Sequence, residues 1–127
     1  METKSIMFAV CDKNQEEIKA TSLFISEFYN NKGKQPEIQC FDDTDKIIDA
    51  FRRQNGYVAV FMGMNSMDEV DTAWILRNIA PRCRLVIMSP CGDYSLEGYR
   101  LEAFDYWLKP LEEERINKTL ERLEAHV

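Results

Sequence analysis

The chain has 127 residues with 16 basic and 22 acidic side chains, a formal charge of −6. That length suits one domain, 1–127, with a real hydrophobic core and no room for a second. The acidic balance leaves no electrostatic footprint for a phosphate backbone or an anionic membrane surface, which argues against direct nucleic-acid or membrane binding by this segment.

The first apolar run covers about six residues before Asp12, too short for the core of a signal peptide, and no 18-residue apolar run offers a membrane span. Cys11, Cys40, Cys83 and Cys91 are scattered without a C-x-x-C spacing. They read as small buried apolar residues of a reducing cytoplasm rather than as a disulfide framework.

Taken in chain order, short apolar runs alternate with segments of helical period. A strand over residues 6–10 is followed by a helix whose stripe is Ile18, Ile25 and Phe28. A second strand over 37–41 leads to a helix capped by Asp43 or Thr44, with Ile47, Ile48 and Phe51 facing inward. The third strand, 57–62, precedes a helix with Val70, Ala73 and Leu76 on its stripe, Trp74 and Ile75 off it, and Pro81 closing it. A fourth strand over 85–89 precedes the stripe Leu96, Tyr99 and Leu101. The fifth, 106–108, precedes a helix that opens with Glu112, Glu113 and Glu114 and buries Ile116, Leu120 and Leu123. Most of the strands are apolar throughout, as expected of strands covered on both faces.

Five βα units of this kind predict an α/β fold, a (βα)5 doubly wound three-layer sandwich on a five-stranded parallel sheet. In the flavodoxin-like strand order, ligands bind beyond the carboxyl ends of strands one and three. The residues to inspect are therefore Cys11, Asp12, Lys13 and Asn14 after the first strand and Met62, Gly63 and Met64 after the third. That second turn carries no acid and no base.

Asp12 after strand one, Ser89 after strand four and Lys109-Pro110 after strand five resemble the site of the response-regulator receiver domain, the CheY-like phosphoacceptor module. The run "DYSLEGYRLEAFDYWLKPLEEERINKTLERL" is similar to receivers joined to LytTR-type DNA-binding domains, and "FAVCDKNQEE" matches their opening. The resemblance covers essentially the whole chain. It implies two-component signal transduction, with two acids after strand one and an aspartate ending strand three around Mg²⁺. The aspartate accepts a phosphoryl group, a hydroxyl and a lysine bind its oxygens, and an aromatic on strand five changes packing. Asp12 matches the first acid, Ser89 the hydroxyl, Lys109 the lysine and Tyr106 the switch aromatic.

Two positions depart from the pattern. Lys13 replaces the second acid, and Gly63 stands where the phosphoacceptor is expected; counting from the other end of a loop about two residues short places Phe61 there, again with no carboxylate. Only Asp12 remains as a metal ligand, and Mg²⁺ ordinarily takes at least one or two carboxylates. A lysine ammonium about 5 Å from a divalent ion is repelled by at most about 7 kcal/mol at an effective dielectric near 20. The expectation is weak or lost Mg²⁺ binding, with Lys13 paired to Asp12 in place of the metal, and no aspartyl phosphate, since glycine offers no nucleophile.

Plainer roles stand beside these. Asp12 fits an N-cap, Asp68 and Asp71 fit helix-start charges, and Met62, Met64 and Met67 fit soft core filling or an adaptable contact surface. His126 has no second histidine with which to build a zinc site or a triad. Glu102 stands where the subfamily has glycine at the close of the fourth helix. The function implied is a degenerate, non-enzymatic receiver that self-associates through the fourth helix, fifth strand and fifth helix, with any DNA-binding domain lying beyond residue 127. The alternatives are a receiver phosphorylated on a non-standard acid and a small flavodoxin-like binding protein. The turn Asp-Lys-Asn-Gln-Glu-Glu after strand one lacks the Gly, Ser or Thr of a phosphate cradle.

Overall fold

The computed structural model describes residues 6–125, so His126 lies outside the described residues. Five strands, β1 (Met7–Cys11), β2 (Glu37–Phe41), β3 (Tyr57–Gly63), β4 (Arg84–Ser89) and β5 (Asp105–Leu108), alternate with α1 (Gln15–Asn30), α2 (Thr44–Arg53), α3 (Met67–Ile79), α4 (Ser95–Arg100) and α5 (Glu113–Ala125). The strands form one parallel sheet in the order β2-β1-β3-β4-β5. Strand order reverses between β1 and β3, so their carboxyl ends frame the crevice.

Side-chain alternation divides the core into two layers. Phe8 and Val10 of β1, Ala59 and Phe61 of β3 and Val86 and Met88 of β4 face α1 and α5, where they meet Ile25, Phe28, Ile116 and Leu120. Ala9 and Cys11, Val60 and Met62, and Leu85 and Ile87 face α2 and α3, against Ile47, Phe51, Val70 and Leu76. Phe61 stacks on Trp107 at 5.3 Å and ties the central strand to β5. No helix among the described residues is long and apolar enough to cross a membrane.

Caps fix where the helices start. Asp43 accepts from the N–H groups of Asp45 and Lys46 and opens α2. Asn14, not Asp12, caps α1, accepting from Glu16 and Glu17 N–H. Those amides are therefore already satisfied, which removes the cradle that a flavin phosphate would need.

Two packing expectations are corrected. The four cysteines are free, but Cys40 is exposed, because β2 is an edge strand covered only in part. The proposed inward stripe of the fourth helix turns outward: Leu96 is 54% and Tyr99 83% exposed, and only Leu101 of the three is buried. Gly98 takes the sheet-facing position instead. A Cβ there would sit 3.1 Å from Ile87 and 3.4 Å from Tyr106, so a larger side chain enters only if those side chains give way by a few tenths of an ångström.

Glu102 closes α4 in the left-handed region, at φ 56°. Ala103 N–H bonds to Gly98 O and Glu102 N–H to Tyr99 O. This is the paired 6→1 and 5→2 pattern of a Schellman motif, whose left-handed position favours glycine.

Candidate functional site

The site grows from the carboxyl ends of β1 and β3. Cys11 pairs with Met62 and Gly63 with Met88, so Asp12 emerges beside Gly63 at the mouth of the crevice. A Cβ built on Gly63 would lie 2.1 Å from Asp12 Oδ2 and 2.4 Å from its Cγ. The Asp12 carboxylate thus occupies the space that any side chain at position 63 would enter. No residue other than glycine fits there unless Asp12 moves.

Asp12 is 1% exposed and is held from two sides. Lys109 Nζ, carried in by the end of β5, donates to Oδ2 at 2.8 Å, and Asn14 N–H donates to Oδ1 at 3.0 Å. The Lys109 side chain is itself largely buried. An unpartnered carboxylate at this depth would be strongly disfavoured, and the ammonium is the charge that makes burial tolerable.

Lys13 does not pair with Asp12, as the sequence had implied; it reaches Glu69 Oε2 at 3.1 Å. The reason is geometric. Asp12 is turned under Lys109, while the short 64–66 loop brings the first turn of α3 down beside Lys13. Glu69 is 2% exposed and also accepts from Asn65 N–H at 2.9 Å and Ser66 Oγ at 2.7 Å. Burial pushes its carboxyl up, but the hydrogen bonds from Ser66, Asn65 and Lys13 outweigh it and hold the group below the usual glutamate range. The same contact holds the Lys13 ammonium above its ordinary value.

The other candidates are arranged less tightly. Ser89 is fully buried at the end of β4, its hydroxyl facing Cys91 N–H at 3.4 Å, while its carbonyl accepts from Lys109 N–H at 2.8 Å. Tyr106 donates its hydroxyl to Cys91 O at 2.7 Å. Ser89 and Tyr106 therefore meet on one segment, residues 89–91. The shallow cavity over the crevice, about 490 Å³, is lined by Asp12, Lys13, Asn14, Asn65 and Lys109. Met62 and Met64 are buried, and Met67 is exposed.

Glu69 is the residue that the sequence reading passed over. Its signal was present as Ser66-x-x-Glu69, the spelling of a capping box. Asp68 and Asp71, which drew attention instead, lie on the exposed side of α3. Among the described residues, no group of three or more acidic, cysteine or histidine side chains converges as metal ligands do. Chemically, the crevice presents two carboxylate–ammonium pairs, one buried and one at its rim.

No family model matches the chain. The transcriptional regulatory protein YpdB of Escherichia coli K12 is 36% identical over 87 residues, covering 67% of this chain and 35% of YpdB. Protein MrkE of Klebsiella pneumoniae is 31% identical over 101 residues, covering 78% of this chain and 37% of MrkE. The crystal structure of the response regulatory domain of MrkE aligns with a TM-score of 0.82 at 27% identity, covering 95% of this chain and 97% of that domain. The chain spans about a third of the length of the curated relatives it matches.

Proposed function

Because the chain belongs to the receiver-domain family of two-component response regulators, close to the receivers of transcription regulators, we propose that it signals without an aspartyl phosphate. One observation carries this reading: the Asp12 carboxylate lies over the α-carbon of Gly63, pinned there by Lys109. Gly63 takes the phosphoacceptor position. Phosphoryl transfer to a receiver needs a carboxylate nucleophile at that point, and here the volume that would hold it is filled by Asp12.

Lys109, the family's phosphoryl-binding lysine, is engaged with Asp12 at 2.8 Å. The family's Mg²⁺ does not fit the groups present. Among the described residues Asp12 is the carboxylate that lines the cavity, it is paired with an ammonium, and the position of the second acid holds Lys13, which pairs with Glu69 at the rim. Hard divalent cations are bound by clusters of oxygen donors, and two ammonium groups in the same cavity oppose one. The ion pairs take the place of metal and phosphate as the charges that hold β1, α3 and β5 in register.

As a module of a transcription regulator, the domain transmits through protein contacts rather than through catalysis of its own. Leu96, Tyr99 and Leu108 are exposed apolar side chains on α4 and β5. With α5 they form the surface we assign to self-association in a cytoplasmic regulator, whose DNA-binding domain would follow residue 127. Ser89 and Tyr106, joined through residues 89–91, couple that surface to the crevice.

Size-exclusion chromatography with light scattering, with and without Mg²⁺ and beryllofluoride, tests this. The expected mass is unchanged by the additives and lowered by Tyr99→Glu with Leu108→Glu. A shift on adding beryllofluoride would restore the phosphorylatable alternative.

A further inference from the structure

The opposite end of the sheet carries a second feature, unrelated to the acid crevice. The turn between α3 and β4, the start of β4 and the last turns of α3 and α5 enclose a groove of about 490 Å³. Its apolar lining comes from Val58, Pro81 and Leu123, its cationic lining from Arg77, Arg82 and Arg84, and its one acidic lining residue is Glu102. Among the described residues, none of these three arginines has a carboxylate within 4 Å, although the chain as a whole has six more acids than bases.

Two of the guanidinium groups are already oriented. Arg77 Nη1 donates to Cys83 O at 2.7 Å and Pro81 O at 3.3 Å, which fixes it along the turn. Arg84 lies over the Phe104 ring, 5.5 Å from its centroid, with Arg122 also against that ring at 4.4 Å. Helix polarity accounts for Arg77 in the last turn of α3. It does not account for Arg82 and Arg84, which lie beyond the helix.

We propose that this groove binds an acidic peptide segment of a partner protein, with carboxylates on the Arg82 and Arg84 guanidinium groups and an apolar side chain against Val58 and Pro81. Charge complementarity selects the occupant. Arginine presents a planar donor fork suited to carboxylates, and a partly oriented fork loses less freedom on binding. A small free anion is disfavoured because about half of the groove is apolar and Arg82 and Arg84 are exposed to solvent, which hydrates such an anion well. A nucleic-acid backbone is disfavoured because only Arg77, Arg82 and Arg84 line the groove as cations, beside Glu102, too few to follow a run of phosphates.

The test uses the full chain and a fluorescein-labelled peptide in which a leucine is flanked by aspartates and glutamates, with its asparagine/glutamine counterpart as control. Fluorescence anisotropy should show the acidic peptide binding on the order of tenfold or more tighter than the amide peptide, and weakening as salt rises. Arg82→Glu with Arg84→Glu should remove that preference, and so should the milder Arg82→Ala with Arg84→Gln. Arg52→Glu with Arg53→Glu, an equal change in net charge at the exposed end of α2, should leave it. Thermal melts establish that each variant is folded. Equal binding of both peptides, an equal loss in the Arg52/Arg53 variant, or tighter binding of duplex DNA or inorganic phosphate than of the acidic peptide would overturn the proposal. Because the groove lies at the other end of the sheet, none of these results bears on the Asp12 crevice.

Discussion

Lys109 Nζ lies 2.8 Å from Asp12 Oδ2, across 97 residues of sequence, with the Asp12 side chain buried and that of Lys109 largely so. The pair joins the ends of β1 and β5 over the central strand, at the position where the crevice of this fold is open to ligands. It exists because Gly63 has no side chain to dispute the space.

The first consequence is that Gly63→Ala displaces Asp12. A Cβ at 2.1 Å from Oδ2 is incompatible with the present geometry, and breaking a buried ion pair typically costs about 3–5 kcal/mol. We expect a loss of about 3 kcal/mol in urea unfolding. In an Asp12→Ala background the same Gly63→Ala change should cost much less, because the clash is gone. Additive losses in the four-member cycle would show that the two positions do not interact.

Glu69 sets a pH dependence. Its carboxyl is held below the ordinary value near 4.5, so the folded state binds its proton less readily than the unfolded chain does. The contribution to stability is therefore complete above about pH 5 and is lost as the pH falls through the folded-state value. Glu69→Gln should cost about 1–2 kcal/mol at pH 7 through the lost charge-assisted hydrogen bonds, and the difference from the parent should shrink below pH 4.5. A difference that stayed constant with pH would assign the loss to packing alone.

Glu102 offers the reverse effect. Its left-handed backbone costs a non-glycine residue about 1–2 kcal/mol, and Glu102→Gly relieves it while adding freedom to the unfolded chain. The expected net gain is about 0.5–1 kcal/mol by chemical denaturation, with no change in the Asp12 crevice. A destabilised variant would mean that the Glu102 side chain makes a contribution larger than the strain.

Thr119 joins β5 to α5. It accepts from Trp107 Nε1 at 2.9 Å and donates to Asp105, which Arg115 also grips at 2.7 Å. Burial pushes the Asp105 carboxyl up, but Arg115, Thr119 and the Tyr106 N–H together hold it below its ordinary value. Thr119→Val leaves a buried indole N–H without its partner and should cost about 2 kcal/mol, with a change in Trp107 fluorescence. An unchanged spectrum and unchanged stability would contradict that network.

The strands were legible because each central one is apolar on both faces, a pattern that covered parallel sheets share. The helix stripes of α1, α2, α3 and α5 followed from period alone. α4 did not, because a six-residue helix pressed against the sheet through Gly98 leaves its leucine and tyrosine outside. In the crevice, Asp12 and Lys109 stood out at strand ends, while Gly63 was singled out only through the receiver resemblance, with Phe61 as the other count. The pairing of Asp12 was not legible, since Lys13 is the neighbour in sequence while Lys109 is the neighbour in space. Glu69 was hidden among the acids that open α3, where only its spacing from Ser66 distinguished it.

Intact-mass measurement of the protein after incubation with acetyl phosphate and Mg²⁺ decides whether the crevice still performs phosphoryl transfer. With Asp12 held by Lys109 over Gly63, the mass should remain that of the unmodified chain. A stoichiometric, acid-stable and base-labile gain of one phosphoryl group would contradict the assignment and direct attention to Asp12 or Glu69 as the acceptor.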